Sequence, residues 1–234
     1  MNLAIIPARG GSKRIPRKNI REFCGKPMIA WSVEAALESG CFQEVVVSTD
    51  DEDIAEVARA YGASVPFLRP ENLSDDYTGT IPVIRHAVEW FLNAGHQVDS
   101  ACCLYATAPF VQAADLRVGL APLHREHSAF AFSVTSCAFP IQRALRLLPG
   151  SRVEMFDPDQ FATRSQDLEE AWHDAGQFYW GTAEAWRSGP VIFGPDSVGV
   201  PIPRHRVQDI DTPEDWESAE YLFEAIRARA EQGG

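Results

Sequence analysis

Short apolar runs alternate with amphipathic stretches along the first 135 residues. Leu3-Ala4-Ile5-Ile6-Pro7 reads as a strand buried on both faces. Met28 to Ser39 carries apolar residues at helical spacing, and Gly40 supplies a stop. Glu44-Val45-Val46-Val47-Ser48 is the next strand, and Asp51 can cap a helix running to about Tyr61 with Ile54, Ala55, Val57 and Ala58 inward. Ser64 to Leu68 reads as a third strand. A loop follows from Arg69 to Gly79, then a helix from about Thr80 to Asn93. A strand over Ala101–Tyr105, a helix after Gln112 and a strand over Phe130–Val134 continue the alternation. Strands alternating with helices predict an α/β fold, a mostly parallel sheet with right-handed crossovers and helices on both faces. Such sheets hold ligands outside the carboxyl ends of their strands.

The rhythm changes after Cys137. Phe139 to Phe161 contains Pro140, Pro149 and Pro158 and no helical period, so about 137–172 is expected to be a β excursion within one domain spanning 1–234. Gln177–Trp180 and Val191–Phe193 read as returning strands. Pro213 opens a last helix to about Ala230, with Trp216, Ala219, Leu222, Phe223 and Ile226 on one face. The Gln232-Gly233-Gly234 tail is expected to fray.

Composition narrows the partners. The 234 residues carry a formal charge of −12, which argues against coating nucleic acid or an anionic membrane. No apolar run approaches the roughly 20 residues that span a bilayer, and no export signal is recognised, so a cytoplasmic location is expected. Five cysteines without CxxC spacing read as small hydrophobes in a reducing compartment. His124 and His127 read as surface residues rather than a metal pair.

Against that acidic background, residues 9–21 hold six cations and no acid: Arg9, Lys13, Arg14, Arg17, Lys18 and Arg21. The window is at +6, which leaves −18 on the rest of a −12 chain. Gly10 and Gly11 permit close backbone approach, and Ser12 adds a hydroxyl. Amides beside cations make a cradle for phosphate oxygens, and this one follows the first strand directly. Neither GxGxxG nor GxxxxGK[ST] is present. Far along the chain, Asp209-Ile210-Asp211 sets two carboxylates at i and i+2, on one side of an extended segment. Such a pair asks for a cation, and beside a triphosphate Mg²⁺ suits it. The competing reading makes Asp211 the cap of the last helix. Asp50 and Asp51 read as a strand end and a cap.

Ile6-Pro7-Ala8-Arg9-Gly10-Gly11-Ser12-Lys13 with Pro16-Arg17-Lys18-Asn19 resembles the signature loop of the CMP-sialic acid synthetase family of cytidylyltransferases. Val47-Ser48-Thr49-Asp50, Leu68-Arg69-Pro70 and Asp209-Ile210-Asp211-Thr212 match in order, so the likeness spans essentially the whole chain. Residues 103–110, 173–180 and 79–84 are most similar to the family's pseudaminic acid branch. The resemblance implies a Rossmann-like nucleotidyltransferase fold, and transfer of CMP from CTP to a nonulosonic acid with release of diphosphate. It implies that Arg9, Gly10, Gly11, Ser12, Lys13 and Lys18 hold the triphosphate, with Arg9, Lys18 and Asp211 at the chemistry. Asn19, Arg69 and Thr80 would lie near the cytidine, and Asp209 and Asp211 would carry Mg²⁺. Tyr105, Thr107, Gln177 and Arg164 would serve the sugar, Arg164 from a partner subunit. The β excursion would be the dimerisation segment of a homodimer.

One departure bears on the substrate. Sialic acid synthetases carry Leu-Gln-Pro-Thr-Ser-Pro where this chain has Leu104-Tyr105-Ala106-Thr107-Ala108-Pro109. A lost amide and an added ring favour a more deoxygenated sugar, which pseudaminic acid is. Legionaminate, N-acetylneuraminate and 3-deoxyoctulosonate synthetases share the loop and stay open as alternatives. A silent nucleotide-binding regulator would have little need for the acid pair.

Overall fold

A computed structural model of the chain describes residues 1–125, 128–189 and 191–232. His127 and the Gly233-Gly234 end of the tail lie outside these residues. In chain order the elements are β1 (Asn2–Pro7), β2 (Glu22–Phe23), β3 (Lys26–Pro27), α1 (Met28–Ser39), β4 (Glu44–Ser48), α2 (Glu52–Ala60), α3 (Thr80–Asn93) and β5 (Ser100–Leu104). They continue with α4 (Ala113–Arg125), β6 (Phe130–Ser136), β7 (Leu145–Leu148), β8 (Arg152–Met155), β9 (Trp172–Thr182), α5 (Ala183–Ser188), β10 (Ser197–Pro201) and α6 (Pro213–Gln232). Six strands form one sheet in the order β10-β6-β9-β5-β1-β4. Pairing is parallel except at β9, which runs against both β5 and β6. This is the expected α/β architecture.

The central strands are buried, with separate hydrophobic clusters on the two faces of the sheet. A third cluster sits to one side and fixes the site. Phe23, on the small β2–β3 hairpin, meets Trp216 of α6 edge-to-face at 5.4 Å between ring centroids. Ile15 and Ile210 are buried in the same cluster. The basic loop and the segment before α6 therefore share one apolar anchor.

Several element assignments need correcting. Ser64–Leu68 is not a strand. It forms isolated bridges from Ser64 to Val46 of β4 and from Leu68 to Thr49 just beyond it, because Pro66 between them has no N–H to continue a ladder. Val191–Phe193 forms bends; the edge strand is Ser197–Pro201, paired with β6. The Val191 and Phe193 side chains are exposed, so their hydrophobicity reflects surface rather than sheet. β9 is longer than Gln177–Trp180 and shifts register opposite Phe132 and Val134. Helix α5, capped by the Thr182 hydroxyl, is too short for its period to register. The β excursion is present as the antiparallel β7–β8 hairpin flanked by 3-10 turns.

Candidate active site

The basic loop leaves β1 at its carboxyl end and is held by its backbone. Ala8 N–H donates to the Ser48 carbonyl at 3.0 Å. Gly10 N–H donates to Asp50 Oδ1 at 3.1 Å. Asp51 accepts from Ile54 N–H at 3.1 Å as the cap of α2. A Cβ on Gly10 would lie 2.5 Å from Asp51 Oδ2, so only glycine fits there. Asn19 is buried and donates its amide to the Arg9 carbonyl at 2.9 Å, closing the loop from its far end. Asp50 and Asp51 are thus structural, as expected, and brace the cradle.

The loop's cations find acids from elsewhere in the fold. Arg9 and Lys13 both pair with Asp76 on the loop before α3. Arg17 pairs with Asp53 at 2.7 Å. Lys18 Nζ donates to the Ile210 carbonyl at 2.6 Å and stands 3.3 Å from Asp211 Oδ1. Arg14 lies 2.8 Å from the other Asp211 oxygen. The two motifs read separately in the sequence therefore meet.

Asp211 does not cap the last helix. Thr212 takes that place: its hydroxyl accepts from Asp215 N–H at 3.2 Å, and Asp215 returns by accepting from Thr212 N–H at 2.8 Å. This reciprocal box leaves the Asp211 carboxylate facing the cavity. Burial, and then the charge of Asp211, push the Asp209 carboxyl above its usual range, against a smaller opposing pull from Lys18.

Two adjoining cavities occupy the carboxyl-end face. The first, of about 280 Å³, is lined by Arg9, Ser12, Arg14, Lys18 and Asn19 of the loop and by Arg69, Thr80 and Asp211. The second, of about 460 Å³, includes Asp174, Tyr179 and Asp209. Tyr105 and Thr107 line both. The acid pair straddles the junction, with Asp211 in the first cavity and Asp209 in the second. Arg69 is 7% exposed and donates to the Ser48 carbonyl at 2.6 Å, while its Nε is buried without a partner. Burial pulls its guanidinium pKa down. An ordered water or a ligand would satisfy that donor. The Tyr105 hydroxyl lies 3.3 Å from Thr80 Oγ1.

Not every expected residue joins them. Gly10, Gly11 and Lys13 belong to the loop without lining either cavity. Arg164 sits on the excursion, its side chain 71% exposed and paired with Asp167 at 2.6 Å. Gln177, expected at the sugar, lines neither cavity in the structure. It is 3% exposed, and its amide donates to the Arg206 carbonyl at 2.5 Å rather than reaching a cavity. Its place on β9 points it inward beneath the acid segment. Asp76 and the Tyr179–Asp174 hydrogen bond of 2.5 Å escaped sequence reasoning, because neither has a local pattern.

A family model described as cytidylyltransferase matches residues 3–175. The pseudaminic acid cytidylyltransferase of Campylobacter jejuni is 50% identical over 222 residues, covering 95% of this chain and 96% of that protein. The CMP-N,N'-diacetyllegionaminic acid synthase of Legionella pneumophila is 34% identical, covering 95% and 96%. Among solved structures, a CMP:2-keto-3-deoxy-manno-octonic acid synthetase complexed with CTP aligns with a TM-score of 0.69 at 18% identity, covering 96% of this chain and 99% of that one. That likeness concerns the fold.

Proposed function

The chain belongs to the cytidylyltransferase family, a family of nucleotidyltransferases, and from that premise we propose that it transfers CMP from CTP to the anomeric hydroxyl of pseudaminic acid. The acceptor oxygen forms a bond to the α-phosphorus, the bond between that phosphorus and the β-phosphate oxygen breaks, and diphosphate leaves. The observation that carries this reading is the meeting of Lys18 with Asp211 at the junction of two cavities, one cationic and one suited to an acceptor. The 50% identity to a pseudaminic acid enzyme supports the choice of sugar.

Catalysis here is positioning and charge neutralisation. Arg9, Ser12, Lys13 and Lys18, with the amide of Gly11, hold the triphosphate, and Gly10 keeps the loop against Asp50. Lys18 and Arg9 offset charge that grows on the departing diphosphate. Arg69 and Thr80 lie against the nucleoside, and Asn19 keeps the loop in shape beside it. Tyr105 and Thr107, common to both cavities, separate nucleotide from sugar.

Asp209 and Asp211 fit a divalent cation. They stand two residues apart at the junction of the cavities, and Asp211 raises the Asp209 pKa, a repulsion that a cation would relieve. No three His, Cys, Asp or Glu groups converge among the described residues, so phosphate oxygens and water would complete the shell, as Mg²⁺ prefers. Bound there, Mg²⁺ supplies charge neutralisation on phosphate and a lowered pKa for the acceptor hydroxyl.

The excursion supports a homodimer. Phe139, Leu145, Leu147, Val153, Phe156 and Phe161 are all exposed along it, more apolar surface than a monomer ordinarily presents on one arm. A partner's excursion would bring Arg164 to the sugar carboxylate. A cytoplasmic setting agrees with the use of CTP, and among the described residues no helix is long and apolar enough to cross a membrane.

Diphosphate release tests the reading, with CTP and Mg²⁺ offered alongside pseudaminic, legionaminic, N-acetylneuraminic and 3-deoxyoctulosonic acids. Release fastest with pseudaminic acid is expected. Release with another acid alone would reassign the sugar, and none with any would point to a binder.

A further inference from the structure

The acid pair depends on something beneath it. Along residues 206–211, Arg206 and Ile210 are buried, while Val207, Gln208 and Asp209 line one cavity and Asp211 the other. Arg206 is 9% exposed, and its guanidinium grips Asp115 of α4 with both nitrogens, at 2.5 and 3.0 Å. Both side chains are nearly covered. The Arg206 carbonyl accepts from the buried Gln177 amide of β9. Arg206 is therefore tied from its side chain to a helix and from its backbone to the sheet. Ile210 is tied by its side chain to the third apolar cluster and by its carbonyl to Lys18.

A buried cation is costly unless its partner is fixed and well aligned. Asp115 is fixed, because it also accepts from Gln112 N–H at 3.2 Å at the start of α4. Shifting the segment would pull the Ile210 side chain from its apolar cluster and its carbonyl from Lys18. It would also leave Asp115 without its cation. The bidentate pair thus penalises the wrong register more than an apolar contact could.

We infer that Arg206, gripped by Asp115 and braced by Gln177, is a positioning residue that sets the register of Asp209 and Asp211 for their cation. The inference rests on the metal role given to those two aspartates. It also gives Gln177 its work, support from below the site rather than contact with the sugar.

Manganese binding provides the test, followed by electron paramagnetic resonance with the full chain and saturating CTP. CTP affinity is measured separately without metal, and thermal unfolding reports folding. The paired Arg206→Met, Asp115→Leu variant replaces the ion pair with apolar groups that can pack. Arg206→Lys keeps the charge but loses the two-pronged grip, and it carries the comparison should the paired variant fail to fold. Manganese affinity is expected to fall about tenfold or more, with metal-free CTP affinity within about twofold of the parent. Arg206→Lys should fall between the two. Unchanged manganese affinity in a folded variant would overturn the inference, as would equal losses for metal and nucleotide. Asp211→Asn serves as the control. If it binds manganese like the parent, the metal reading fails, and the inference fails with it.

Discussion

The Lys18 ammonium stands 3.3 Å from the Asp211 carboxylate, 193 residues away in sequence. The contact joins the carboxyl end of the first strand to the entrance of the last helix. In the proposed mechanism it sets the cation assigned to phosphate beside the acid assigned to the metal, the positioning on which phosphoryl transfer relies.

Asp211→Asn should lower kcat by about a thousandfold, the upper range for loss of one aligned electrostatic group, while CTP binding survives in part. Lys18→Ala should lower it by roughly a hundredfold or more. Steady-state kinetics and CTP titration read both. Full activity in Asp211→Asn would remove the metal role, and a Lys18→Ala change confined to sugar KM would contradict aid to the leaving group.

Asp76 pairs with both Arg9 and Lys13 in the structure and partly offsets their charge, where the triphosphate is expected to bind. CTP must displace this carboxylate. Exposed ion pairs contribute little, so Asp76→Asn should lower the CTP KM by up to about fivefold with kcat little changed. A raised KM would show instead that Asp76 assists the bound nucleotide.

Tyr105 forms the wall common to both cavities and meets Thr80. Tyr105→Gln restores the amide that sialic acid synthetases carry. The kcat/KM preference for pseudaminic over N-acetylneuraminic acid should fall by about tenfold, the scale of modest pocket changes. An unchanged ratio would move sugar selection elsewhere.

His86 lies against Phe67, 4.9 Å between ring centroids, with Nδ1 buried and unpartnered. Burial, and then Arg69, pull its pKa below the ordinary 6.5. The unfolded chain binds this proton first, so the folded state loses stability as pH falls through about 6.5. Above that value the contribution is constant. His86→Phe should flatten this part of the stability–pH curve, measured by denaturant unfolding between about pH 7.5 and 5. An equal slope in parent and variant would assign the acid loss to carboxylates.

Much of the sheet was legible because its order is local. Short, β-branched apolar runs such as Leu3–Ile6 and Val45–Val47 read as buried strands and are so, and Met28–Ser39 carries its own period and stop. Ser64–Leu68 misled because composition does not register a missing N–H at Pro66. Gly199 interrupts the run that became β10, while the apolar Val191–Phe193 nearby drew the assignment away from it. In the site, the basic loop and acid pair stood out as charge patterns. Asp76, Asp115 and Arg206 did not, since each acts only through a partner distant in sequence. Gln177 matched a motif, yet the strand's facing decided where its amide went.

A crystal structure of the enzyme with CTP and Mn²⁺, using anomalous scattering to locate the metal, tests the account most directly. Density for the metal should touch both Asp209 and Asp211, with the triphosphate lying along residues 9–18. Nucleotide or metal bound away from that junction would contradict it.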